Sequence, residues 1–282
     1  HTGYRRQRQM CIRDRYYADS PRGVATRTAE LINKVELNKS KQIMFSLICS
    51  LVFLIVFCLP LFQLIYWQLS ESSINLLSNV NLLINSSILG FAVGIFTIFF
   101  ATALSLSYRQ SNKLKLLISI STSGYAIPGS VISAGLLIGF DAIFGTSITI
   151  YGIFGLILCL SLRFMTPAYN YSSSSLANIS KSSENALSLI PSNPLKAFSS
   201  FYYPQMKSAL FLGFMIVFIE SVKEQPATLL LRPVGFDTLS TKIYNFTSEG
   251  EWEMAASPSI LLIFLSLAFV YLINKNIELN TK

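Results

Sequence analysis

Six stretches of this chain, at about residues 43–69, 82–107, 116–140, 147–164, 206–225 and 257–274, meet or approach the roughly 20 apolar residues that a helix needs to cross a bilayer. Hydrocarbon offers backbone N–H and C=O groups no partner, and a helix satisfies them within its own segment. The rest of the composition agrees. Hydrophobic residues make up 52% of the 282 and charged ones 13%, about half of what a water-facing surface uses. The chain is expected to be an all-α membrane protein, a six-helix bundle in lipid. The first stretch contains Pro60, which predicts a kink or an interfacial turn carrying Tyr66 and Trp67.

Other classes fall away quickly. Four cysteines are too few for a secreted disulfide scaffold, and 21 phenylalanines exclude disorder. Cys49, Cys58 and Cys159 lie in apolar runs without paired spacing and read as small buried hydrophobes. The single histidine is His1, so neither an intramembrane hydrolase nor any other Ser–His or Cys–His chemistry has a base. No Gly-rich loop ends in Lys-Ser or Lys-Thr, so the chain has no P-loop for ATP.

The net charge of +8 is concentrated at one end: residues 1–41 hold ten Lys/Arg against four Asp/Glu. No nucleic-acid motif follows, and a basic segment before an apolar run reads as a cytoplasmic membrane flank. The run RQMCIRDR (Arg8 to Arg15) resembles a translated sequencing adapter, which predicts that residues 1–15 are artefactual and the chain truncated. Residues 16–41 keep five Lys/Arg against three Asp/Glu. Positive charge then alternates between connections. Arg109, Lys113 and Lys115 follow the second stretch, and Arg163, Lys181, Lys196 and Lys207 flank the fourth and fifth. Glu71, Asp141 and the acidic 226–256 segment fall on the other side. This predicts both termini and 165–205 in the cytoplasm and 226–256 outside.

Two features point to function. Between the fourth and fifth stretches, Ser182 or Ser183 is expected to cap a short helix with Glu184 in its first turn. Pro191 and Pro194 then force a turn before a second short helix, Leu195 to Tyr203. A helix–turn–helix on a bundle's cytoplasmic face suggests a docking surface, which an ion channel would not need. At the end of the fifth stretch, Glu220, Lys223 and Glu224 are spaced to share one helical face inside or at the edge of the membrane, as pathway charges do. The glycines of GYAIPGS (Gly124 to Ser130) read as helix-packing positions, with Pro128 breaking or kinking the third helix.

The run SVKEQPATLLLRPVGFDTLSTKIYNFTSEGEWEMAA (Ser221 to Ala256) resembles the ferric-iron ABC importer permeases, which read KELPATLLLRP and then Gly-Phe-x-Thr-Leu; Gln225 replaces the usual Leu. GYAIPGSVISAGLL looks like the corresponding permease segment. Glu184, Asn185 and Ala186 stand at the Glu-Ala-Ala positions of that family's coupling loop, with Pro204 at its closing Leu-Pro. Ile190 or Pro191 occupies the usual Gly position, and the segment is about one residue longer than the pattern. The resemblance implies a bundle of the type I importer kind: a basic segment 1–42, a first helix and external loop 43–78, a permease core 79–274 with coupling loop 165–207, and a tail 275–282. It implies Glu184, Asn185, Ala186, Pro194 and Pro204 as ATPase-coupling residues, and Glu220, Lys223, Glu224, Pro226, Thr228, Arg232 and Asp237 as candidate pathway or gate residues. Implied partners are an ABC ATPase dimer carrying ATP and Mg, a periplasmic binding protein, and a second six-helix half in the bacterial inner membrane. This chain is expected to bind no cofactor, and no metal-ligand set can be read from it. Thiamine, a phosphonate or a polyamine is the alternative cargo.

Overall fold

The computed structural model describes residues 38–70, 79–110, 114–145, 152–188 and 193–281, and every element in them is helical. The basic segment up to residue 37 with its adapter-like run, Glu71, Lys113, the 146–151 connection and the Ile190–Pro191 turn lie outside the described residues. In order come α1 (Lys39–Phe53), α2 (Leu59–Ser70), α3 (Val80–Gln110), α4 (Lys115–Thr122), α5 (Gly129–Phe144), α6 (Ile153–Arg163) and α7 (Met165–Ala177). They are followed by α8 (Lys181–Ser188), α9 (Pro194–Ala197), α10 (Tyr203–Lys223), α11 (Pro226–Leu231), α12 (Leu239–Ser248) and α13 (Ala256–Thr281).

Four runs are long and apolar enough to cross a membrane unaided: Lys39–Ser70, Val80–Arg109, Pro194–Lys223 and Ala256–Ile277. The other two predicted spans are broken. Lys115–Ala126 and Gly129–Phe144 meet at 118°, and Ile153–Arg163 and Met165–Ala177 meet at 55°. Pro128 thus does more than kink the third span. Ile127 is extended, as a residue before proline tends to be, and Pro128 becomes the cap of a new helix in a new direction. The fourth span runs on to Ala177, beyond its predicted end at 164. Its polar run Tyr171–Ser175 is helical, with Ser172 buried and the Ser173 hydroxyl bonding back to the Asn170 carbonyl at 3.3 Å.

Pro60 was expected to kink its helix or end it in an interfacial turn, and the helix runs on through it to Ser70; another runs on through Pro204. A π-helical turn precedes each, Leu54–Cys58 before Pro60 and Phe198–Tyr202 before Pro204. Proline lacks an N–H and collides with the carbonyl four residues back, here Val56 or Ser200. Both carbonyls lie inside the wider turn, which removes the conflict and lets the rod continue. The separate helix expected over Leu195–Tyr203 is therefore the leading end of the fifth span.

The packed centre is α3 against α7 and α10, with α6 and α13 added around it. Leu89, Val93, Leu156, Leu160, Phe164 and Val217 form its largest cluster, and Phe218 stacks on Phe269 at 3.8 Å. Gly90 and Gly94 on α3 let α10 approach closely. A Cβ at Gly94 would stand 2.6 Å from the Phe214 ring, and one at Gly90 2.8 Å from Phe218. By contrast α1 and α2 bury none of their residues, and α2 touches the bundle through α13. Cys49 is accordingly exposed and Cys58 partly so, contrary to their reading as buried; Cys159 is buried as expected.

This packing predicts different costs for three glycines. Gly94→Ala should destabilise the bundle by about 1–3 kcal/mol through overpacking, read as a lower melting midpoint in detergent. Gly135→Ala and Gly139→Ala, where an added Cβ meets nothing within 4 Å, should leave the midpoint unchanged or raise it.

Candidate functional site

Two groups of polar side chains stand out from an otherwise apolar bundle. The first lies where α3 and α7 end together. Arg109, in the last turn of α3, donates from Nη1 to the Leu176 carbonyl at 2.7 Å and from Nη2 to the Ile179 carbonyl at 2.5 Å. The Leu176 carbonyl, in the last turn of α7, also accepts from the Ile179 amide at 3.1 Å, and the Ile179 carbonyl lies just past the helix end. The same guanidinium donates from Nε to Glu184 Oε1 at 2.7 Å, in the first turn of α8. Ser180, rather than Ser182 or Ser183, caps α8, its hydroxyl accepting from Ser183 N at 3.2 Å. Glu184 thus faces inward to Arg109, while Asn185 and Ala186 are exposed beside it. Pro194 opens α9 behind an Asn193 cap, and Pro204 is exposed near the start of α10. A cavity of about 480 Å³ opens here, lined by Ser105, Tyr108, Tyr169, Ser173 and Lys181 together with Arg109.

The second group surrounds the end of α10. Glu220, Lys223 and Glu224 do not share a face as their spacing suggested. The helix stops at Lys223, and Glu224 is extended, two residues ahead of Pro226. Lys223 donates to Glu220 at 2.8 Å on the outside of the chain. Glu224 turns inward, 8% exposed, with its Oε1 3.3 Å from Arg163 Nη1. Arg163 was counted among loop charges; it lies instead at the break between α6 and α7, inside the fourth span. Positive charge between the fourth and fifth spans then rests on Lys181, with Lys196 and Lys207 in the leading end of the fifth.

The rest of the Ser221–Ala256 motif is a tightly hydrogen-bonded corner. Pro226 starts α11 at a position where no N–H is needed. The buried Thr228 hydroxyl returns to the Glu224 carbonyl at 2.8 Å, and Ser240 reaches the same carbonyl at 3.2 Å. Arg232 and Asp237 pair across the Pro233–Phe236 turn, where Gly235 takes φ +83. Thr238 and Thr241 form a reciprocal capping box on α12. Asn85 and Ser86 of α3 bind the Asp237 carbonyl and the Leu239 amide at 2.9 and 2.8 Å. The candidates Thr228, Arg232 and Asp237 therefore build the corner itself. Among the described residues no three His, Cys, Asp or Glu side chains gather as a metal site.

Arg109, Arg163 and Gly129 were not singled out as site residues. The signal for Arg163 was its place straight after an apolar run too short to span, and for Arg109 its place before a polar connection. The Arg109 geometry predicts an asymmetry. Arg109→Ala removes the bonds to two carbonyls and one partner of the Glu184 carboxylate, and should cost on the order of 2 kcal/mol. Glu184→Gln keeps an acceptor for Arg109 and should cost less. Detergent melting would rank the two, and trypsin cleavage after Lys181 or Lys196 should accelerate in Arg109→Ala.

No protein-family model matches the chain. It is 25% identical over 236 residues to the Fe(3+)-transport system permease protein FbpB 2 of Haemophilus influenzae, a match covering 80% of this chain and 46% of that protein. It is 29% identical over 124 residues to the ferric transport system permease protein FbpB of Actinobacillus pleuropneumoniae, covering 43% of this chain and 18% of that one. The chain thus spans about half or less of the curated relatives it matches. Among solved structures, an inward-facing MetNI methionine ABC transporter aligns with TM-score 0.57 at 17% identity, over 72% of this chain and 96% of that one. A bacterial ABC transporter involved in importing the acidic polysaccharide alginate aligns with TM-score 0.58 at 13% identity, over 86% of this chain and 98% of that one. The chain is a multi-pass membrane protein with the fold of an ABC importer permease subunit, and its sequence relatives are ferric-transport permeases.

Proposed function

We propose that this chain is the transmembrane conduit of an ATP-driven importer for ferric iron, with residues 79–274 as its permease core. The observation that carries the reading is a short helix, α8, held at the end of the bundle by Arg109 in a chain with an importer permease fold. A helix fixed to both α3 and α7 can pass the motion of a docked ATPase into the bundle, and ATP hydrolysis then belongs to that partner. Asn185 and Ala186 offer the exposed contact, while Glu184 sets the helix's position. The ferric cargo is supported by the relatives' substrate and by the run Ser221–Ala256. A periplasmic binding protein would deliver iron on the side of residues 226–256, and a second six-helix half would complete the pathway. Both termini are then cytoplasmic in the inner membrane, in keeping with the Lys/Arg alternation.

The test is uptake into vesicles holding the full chain, its ATPase and its binding protein. Radiolabelled ferric iron on the binding protein should enter with internal ATP and stay out without it; uptake of thiamine, a phosphonate or a polyamine in its place would replace the cargo. Glu184→Lys should push α8 away from Arg109 by like-charge repulsion and uncouple or release the ATPase. Normal uptake with normal ATPase retention in that variant would remove α8 as the coupling element.

A further inference from the structure

Three helix breaks converge on one buried ion pair. α5 begins at Gly129 after the 118° turn, α6 gives way to α7 at Arg163, and α10 gives way to α11 at Glu224. α5 and α6 both run from this point to the connection after Phe144, about 24 Å and 16 Å at 1.5 Å per residue. Both lengths are shorter than a hydrocarbon layer roughly 30 Å thick.

The pair is poorly completed for a structural one. Arg163 Nε and Nη1 and Glu224 Oε1 make no hydrogen bond among the described residues, although the carboxylate also accepts from the Ala227 amide and the Arg163 side chain is 22% exposed. A buried pair held for stability needs its remaining valences filled, because the desolvation cost is otherwise unmet. The site is also closed: a Cβ on Gly129 would stand 2.3 Å from both Arg163 Nη1 and Glu224 Oε1. The positive end of the 16-residue α5 lies beside the carboxylate and favours its charge when the guanidinium moves away.

We propose, resting on the ferric-import reading, that Arg163 and Glu224 form an exchange gate for a hard cation. In the closed state the guanidinium occupies the Glu224 carboxylate. As the helices shift about their breaks, the carboxylate passes from its monovalent partner to the trivalent ion, which prefers oxygen ligands and is attracted more strongly. When the ion leaves, Arg163 returns and the path closes. Nothing in this exchange makes or breaks a covalent bond.

The full chain, with ATPase and binding protein in vesicles, tests the gate through two variants and radiolabelled ferric iron. The neutral double variant Arg163→Gln with Glu224→Gln keeps hydrogen-bonding groups at both positions. It should assemble and melt near wild type yet lose iron uptake to the level of vesicles without ATP. Gly129→Ala meets only the ends of two flexible side chains, so it should fold, wedge the pair apart and let preloaded vesicles leak iron without ATP. Wild-type uptake by the double variant, or iron retention by Gly129→Ala equal to wild type, overturns the gate while leaving ferric import standing. If the double variant fails to assemble, the leak measurement alone decides. If wild-type vesicles ignore iron and carry another solute, the import reading falls and the gate for a hard cation falls with it.

Discussion

A helix that stops inside an apolar layer leaves backbone carbonyls and amides that no water can reach, and this chain stops helices there three times. Its polar side chains are placed to meet that demand. At the end of α4, the Thr122 carbonyl accepts from Thr166 Oγ1 at 2.5 Å, a residue just past the neighbouring break, so two interruptions cover each other. At the end of α10, the Glu224 carbonyl takes hydroxyls from Thr228 and Ser240. Ser133 Oγ bonds the Gly129 carbonyl at 2.6 Å in the first turn of α5. Hydroxyls suit this task because each brings a donor without a charge to desolvate.

The same rule explains how force can travel. Arg109 binds the Leu176 carbonyl of α7, the Ile179 carbonyl just past it and the Glu184 carboxylate of α8 from the end of α3, so the three helices share one guanidinium at that end. Further along, Gly90 and Gly94 bring α3 against Phe214 and Phe218 of α10 with no slack between them. A displacement of α8 therefore reaches α3 through charge-assisted hydrogen bonds and α10 through steric contact. It arrives near Val222, two residues before Glu224. Packed interiors pass such shifts on because they have few voids to absorb them.

Helical class, the approximate positions of the six spans and the presence of a short helix with Glu184 in its first turn were legible in the sequence, because each depends on local period, length or capping. A break at Pro128 was legible too, but its angle and the second break after Arg163 were not. Hydropathy is blind to direction, and Pro128 looks alike whether it bends a helix slightly or turns it through 118°. Tyr171–Ser175 misled for a related reason: four serines read as polar in a composition count, while here they lie in a helix that buries Ser172 and lets Ser173 bond back to the Asn170 carbonyl. The split of Glu220 and Lys223 from Glu224 turned on a single dihedral, the extended ψ of 117 at Glu224, which rotates one carboxylate off the helix face. Arg163 escaped because its partner is 61 residues away in sequence, a proximity that only the fold creates.

Exposure carries different information on this surface than on a soluble one. Apolar side chains cover most of α1 beyond Gln42 and most of α2, and a cavity of about 730 Å³ between α3 and α10 is lined by Ile95, Phe99, Leu195, Phe198 and Phe211 among others. In water such surface would demand a partner. In lipid it gains little by finding one, since acyl chains are as apolar as leucine and helix association there relies on close packing and polar contacts. The groups that discriminate are thus the few charged ones. Glu220 and Lys223 neutralise each other on the outside of the chain, whereas Arg163 and Glu224 are drawn into its interior by three broken helices. A bundle that needed only to be stable would gain from replacing that interior pair with apolar side chains of the same volume. Its presence where three helix breaks meet is the feature on which the proposed gate rests.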